Sequence, residues 1–158
     1  FWFWSGFNFP GNVLLDWMKI TPIDGITRYE RNLIDEVFSL VRKDSKFYII
    51  GIMDNDKNTL KHEICHALYY LNEDFRSEMT KILTDLQTEQ KQEYDFLQKT
   101  LFEELEYDYN VLSDESIAWL ATSTKKEIVC DLKCDWISVE PYVKSFKKVL
   151  RKYNKIEI

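Results

Sequence analysis

Five residues near the middle of the chain, His62-Glu63-Ile64-Cys65-His66, constrain its fold more than any others. They hold the only two histidines in 158 residues, four apart, with a glutamate directly after the first. On a helix, residues four apart stand one turn above another. Both imidazoles then converge on one ion while the glutamate points to the flank. Two histidines scattered at random would give this arrangement in roughly one chain in a thousand. The surroundings agree with a helix. Asn58 or Thr59 suits a cap, and Leu60, Ile64, Leu68 and Leu71 follow at spacings of four, four and three, predicting about three turns. Each residue advances about 100° around the axis. Leu60, Ile64, Ala67, Leu68 and Leu71 therefore share one arc, with His62 and His66 roughly opposite, beside Glu63 and Tyr69. Histidines that served only the core would lie on the aliphatic stripe, and these do not.

Catalytic zinc takes three protein ligands and a water. No histidine remains to be the third. An extended H-E-x-x-H-x-x-G-x-x-H pattern also fails, since Tyr69 and Asn72 occupy its later positions. A carboxylate has to complete the set. Glu73, Asp74 and Glu78 follow too closely to curl back. Glu115 stands out in Ser113-Asp114-Glu115-Ser116-Ile117-Ala118-Trp119, at the start of a new helix, with small Ala118 a turn later on the same face to admit a close neighbour. Glu104, Glu106 and Asp114 are the alternatives. A first-turn acid also complements the helix dipole without binding anything.

Around this centre the pattern predicts an α+β domain, mostly helical with a small sheet. Residues 8–12 (Asn-Phe-Pro-Gly-Asn) and 21–25 read as turns. Leu33, Ile34, Val37, Phe38 and Val41 predict an amphipathic helix over 27–41. Residues 46–53 (Lys-Phe-Tyr-Ile-Ile-Gly-Ile-Met) are the clearest strand, closed by the polar run at 54–58. The spacing predicts one bent helix or two in succession over 75–105, a helix over 114–122 capped by Ser113, and a last one over 139–153. Gly51 either admits a close backbone or marks a bulge.

The 21 Lys and Arg against 27 Asp and Glu leave a net charge of −6, which argues against charge-driven nucleic-acid binding. With 45% hydrophobic and 15% aromatic residues the chain can bury a core without disulfides, as one domain over 1–158. No stretch suits a membrane span. Three cysteines, an odd number, point to a reducing, intracellular or cytoplasmic compartment. Cys65 reads as a small packing residue, and Cys130 and Cys134 as free thiols. The basic stretch 144–152 reads as a solvated helix face. Phe1, Trp2, Phe3 and Trp4 open the chain without Met, lack the marks of a signal peptide, and suggest a truncated amino end.

His62-Glu63-Ile64-Cys65-His66-Ala67-Leu68, with a strand upstream and Asp114-Glu115-x-x-Ala118 downstream, resembles the zincin superfamily of zinc metallopeptidases, nearest its gluzincin-like branch. The likeness covers about residues 46–122. It implies Zn²⁺ on His62, His66 and Glu115, with Glu63 as the general base that deprotonates water and delivers the proton to the leaving amine. It also implies a peptide or protein substrate docked along the strand 47–52, from Phe47 to Ile52. A phenol often holds the oxyanion, and Tyr69, Tyr107, Tyr109 and Tyr142 are candidates. Larger gluzincins carry a second acid that orients a histidine. Here Trp119 and Ser116 fill the equivalent region, leaving Asp114 or a backbone carbonyl for that task. A different class of function keeps the fold as a binding or regulatory module, with zinc structural or absent. An open metal position facing a cleft would separate the two.

Overall fold

In the computed structural model, which describes residues 6–42, 45–53 and 56–155, the histidine-bearing segment is α3, Lys57–Leu71. It begins earlier than the caps read from sequence. Asp56 accepts from the backbone N–H of Thr59 at 3.0 Å, so α3 runs 15 residues, about four turns. Its buried residues are Glu63, Ile64, Cys65 and His66, consecutive and hence facing all sides, while Leu71 on the aliphatic stripe is 41% exposed. The stripe does not decide what is buried here. The helix is covered on several sides by other elements, and that coverage overrides its amphipathic pattern.

Two of those elements form the sheet. β1 (Gly6–Pro10) pairs antiparallel with β2 (Tyr48–Ile52), with Asn8 opposite Ile50 and Phe7 opposite Gly51. β1 replaces the turn expected at 8–12. Pro10 ends the strand, where its missing N–H costs little, and the chain enters α1 (Gly11–Ile20) directly. Gly51 makes neither a bulge nor an open approach. A Cβ there would stand 2.2 Å from the Phe7 ring, so glycine makes room for the cross-strand aromatic. α2 (Arg28–Leu40) lies within the 27–41 helix that its apolar spacing predicts and starts at Thr27 in a capping box with Glu30. These four elements share a small apolar cluster in which only Leu14, Ile34 and Ile49 are buried, with Phe9, Trp17 and Phe47 packed against them.

The rest is helical. Residues 75–105 resolve into α4 (Glu73–Glu89) and α5 (Lys91–Glu103), separated at Gln90, whose backbone leaves the helical region. α6 (Leu112–Thr122) has no side-chain cap. Ser113 lies inside it rather than capping it. A short α7 (Lys125–Cys130), absent from the sequence reading, begins at a second capping box, Thr124 with Glu127. α8 (Trp136–Tyr153) starts before the expected 139, capped by Asp135, and carries Pro141 inside it. Phe75, Met79, Leu86, Leu97, Leu101, Ile117, Ile128 and Phe146 are fully or almost fully removed from solvent in one core spanning α3 to α8. The cysteines are unpaired, Cys65 and Cys134 buried and Cys130 exposed at the end of α7. Lys144 and Lys152 on α8 pair with Glu140 and Glu78 on the surface. No helix among the described residues is long and apolar enough to cross a membrane. Phe1, Trp2, Phe3 and Trp4 lie outside the described residues.

Candidate metal centre

α3 and α6 pack directly against each other, and Ala118, 0% exposed, gives the small surface that lets them approach. The first turn of α6 then faces the histidine turn of α3. Glu115 Oε2 lies 3.4 Å from His62 Nε2, and Glu115 Oε1 lies 3.5 Å from His66 Nε2. The two Nε2 atoms are 3.1 Å apart. His62, His66 and Glu115 are the three residues among those described whose ligand atoms converge in this way, all within 4.8 Å.

The outer nitrogens explain why this arrangement suits a cation. His66 Nδ1–H donates to Asp114 Oδ2 at 2.9 Å. Thr122 Oγ1 donates to the carbonyl of Ala118 at 2.7 Å, which leaves it to accept from His62 Nδ1–H, 3.4 Å away. With both Nδ1 atoms engaged as donors, both Nε2 lone pairs point inward at a carboxylate. Three lone pairs within this distance repel one another unless something positive lies among them. Tetrahedral zinc with bonds of 2.0–2.1 Å sets its ligands about 3.3 Å apart, close to the separations observed here. Glu115 Oε2 is buried with no hydrogen-bond partner, as expected of a ligand atom reserved for an ion. The donor set therefore fits a divalent metal.

Charge in the metal-free site tells the same story. Burial opposes a charged His66, but hydrogen bonds to Asp114 and Glu115 outweigh it and raise its pKa to about 10. Burial likewise opposes ionisation of Glu115, yet the imidazoles of His62 and His66 facing it hold its carboxyl down to about 2. The carboxylates draw a proton to the point where a metal would sit.

The remaining sequence candidates separate cleanly. Asp114 is not among the three converging residues and instead accepts from the outer nitrogen of His66. Glu104 lies away in an ion pair with Lys133. Glu106, with a positive φ of 58°, lines the cleft beyond the metal set. Tyr107 is the phenol that reaches the centre. Its hydroxyl accepts from Trp119 Nε1 at 3.3 Å, and burial together with the Glu115 carboxylate pushes its pKa up to about 12. Tyr69 contacts Thr80, Tyr142 donates to Glu89 and Tyr109 is 78% exposed. Trp119 meets the His62 ring edge-on, with centroids 5.7 Å apart.

A cleft of about 700 Å³ opens over the centre, bordered by Glu63, Tyr107, Trp119 and the Gly6 to Asn8 stretch of β1. The strand at its edge is thus β1 rather than the 47–52 strand expected from sequence, since no β2 residue lines the cleft. Three contributors escaped the sequence reading. Asn8 was hidden in an apparent Pro-Gly turn, Tyr48 is one apolar-run residue among several, and Thr122 ends a helix without any local signal. Comparison with models of known families, with curated proteins and with solved structures finds no match to this chain.

Proposed function

We propose that this chain is a zinc-dependent metallopeptidase of zincin-like organisation, with Zn²⁺ held by His62, His66 and Glu115. The observation that carries the proposal is the inward convergence of two imidazole Nε2 atoms and one buried carboxylate, with both outer nitrogens already engaged. When bound, the metal supplies a Lewis acid that acidifies water and polarises a carbonyl. Asp114 and Thr122 hold the imidazoles in the tautomer that presents Nε2 inward. Glu63, buried on α3 and bordering the cleft, accepts the proton of the attacking water and passes it to the leaving amine. Tyr107, kept protonated, is placed to donate to the oxyanion as it forms. The β1 edge and the cleft volume suit an extended peptide segment rather than a small metabolite.

The open cleft favours catalysis over a binding module, because a structural zinc site is closed by four protein ligands. Purified protein loaded with zinc is expected to hold one equivalent and to cleave a mixed peptide library. Glu63→Gln is expected to keep the metal and lose at least about 100-fold in kcat. Retention of full cleavage by Glu63→Gln, or a wild type that takes up no zinc, would overturn the proposal.

A further inference from the structure

Asn8 makes two hydrogen bonds that the ligand set does not require. It sits on β1 in a part-buried position between the sheet and α3. Its Nδ2–H donates to Glu63 Oε2, and its Oδ1 accepts from the hydroxyl of Tyr48 on β2. Burial first, then the nearby charges of Asp114, Glu63 and Glu115, push the Tyr48 phenol well above its usual range, so that hydroxyl keeps its proton and donates. An ionised carboxylate only accepts. Between a phenol that donates and a carboxylate that accepts, an amide satisfies both ends at once. Aspartate of the same shape would set anion against anion, and leucine would strip each neighbour of a partner. The other carboxylate oxygen is also closely bordered, since a Cβ on Gly6 would stand 3.1 Å from Glu63 Oε1 and 2.5 Å from Thr59 Cγ2.

We infer that Asn8, itself held by Tyr48, is a positioning residue that fixes the orientation of the Glu63 carboxylate over the cleft. The strand layer, which holds none of the three proposed ligands, thereby aims the proton-transferring group. The inference rests on the reading of Glu63 as general base. A misplacement of about 1 Å can cost ~100-fold in rate. Asn8→Ala should therefore lower kcat about 10- to 100-fold, with KM and zinc affinity each within about twofold of wild type. Tyr48→Phe, which keeps the ring, should lower kcat by a smaller factor of about 3 to 10.

Zinc affinity is read by competition with a chromogenic chelator. A readout independent of catalysis is the side-chain amide signal of Asn8 in ¹⁵N-labelled, metal-free protein, which should move on Glu63→Ala. Should Asn8→Ala fail to fold, Asn8→Asp and Tyr48→Phe carry the same test. A kcat within twofold of wild type in folded Asn8→Ala, or in both of those variants, overturns the inference alone. So does an amide signal indifferent to Glu63→Ala. A zinc-loaded wild type that cleaves no peptide instead overturns the peptidase reading, and with it this role for Asn8.

Discussion

The helical layer from α3 to α8 and the layer made of β1, α1, α2 and β2 carry similar kinds of apolar residue but bury them very differently. In the helical layer Phe75, Met79, Leu101 and Phe146 are all 0% exposed. In the other, the α2 residues Leu33 and Phe38 stay 42% and 39% exposed, and Ile34 alone on that helix is buried. Every candidate metal ligand, with Asp114 and Thr122, belongs to the helical layer. The second layer contributes the cleft edge, Asn8, which bonds Glu63, and Tyr48, which bonds Asn8. The candidate metal set is thus built on the part of the molecule with the most packing to resist distortion, and the strand edge of the cleft on the part with least.

Paired truncations should make that contrast measurable. Phe146→Ala, deep in the helical core, is expected to cost about 3–5 kcal/mol in chemical denaturation, whereas Leu33→Ala should cost less than about 1 kcal/mol. Equal losses at the two sites would erase the distinction. Within the helical layer, Glu115→Gln keeps the shape and removes the charge of the proposed third ligand. It is expected to weaken zinc at least about 100-fold in chelator competition while leaving the fold intact by circular dichroism. Asp114→Asn touches only the orienting contact to His66, and a drop of about 10- to 100-fold in zinc affinity is expected. No change would mean that His66 is oriented by something else.

The smallest effect concerns pH. In metal-free protein His66 holds its proton more tightly folded than unfolded. Its contribution is complete below the ordinary imidazole value of 6.5 and is lost as pH rises through about 10. Glu115 behaves in the opposite sense, contributing fully above 4.5 and losing that contribution as pH falls through about 2. Metal-free melting temperature should therefore peak between these limits, near pH 4.5–6.5, and decline on both sides. Saturating zinc should move the peak upward, because the ligands bind metal only when deprotonated. A metal-free melting temperature that climbs steadily from pH 6 to 9 would show that the site contributes nothing of this kind.

Much of the site was legible because it is local. Two histidines one turn apart on a helix need no tertiary information, and the β2 strand is likewise written in a short window, whereas the capping box that starts α7 went unread. Glu115 could be reached by elimination among acids, helped by the small residue a turn away. The Asn8–Tyr48 pair was not legible. Asn8 sits before Pro10 and Gly11, which read as a turn in isolation, and only pairing with β2 turns that stretch into a strand facing α3. The aliphatic stripe on α3 also misled, since helices and strands on several sides cover positions that a one-sided amphipathic helix would expose.

By itself, then, the sequence determined that His62 and His66 stand one turn apart on one helix, because that spacing is set by the backbone's own 3.6-residue turn. What only the tertiary structure decided is which acid lies beside the two imidazoles, which groups engage the outer nitrogens, and which side chain bonds Glu63. Those depend on separations across space between segments more than forty residues apart, such as Asn8 and Glu63 or His62 and Glu115. No local rule ranks such pairings, since they follow from how the elements pack rather than from any one stretch of chain.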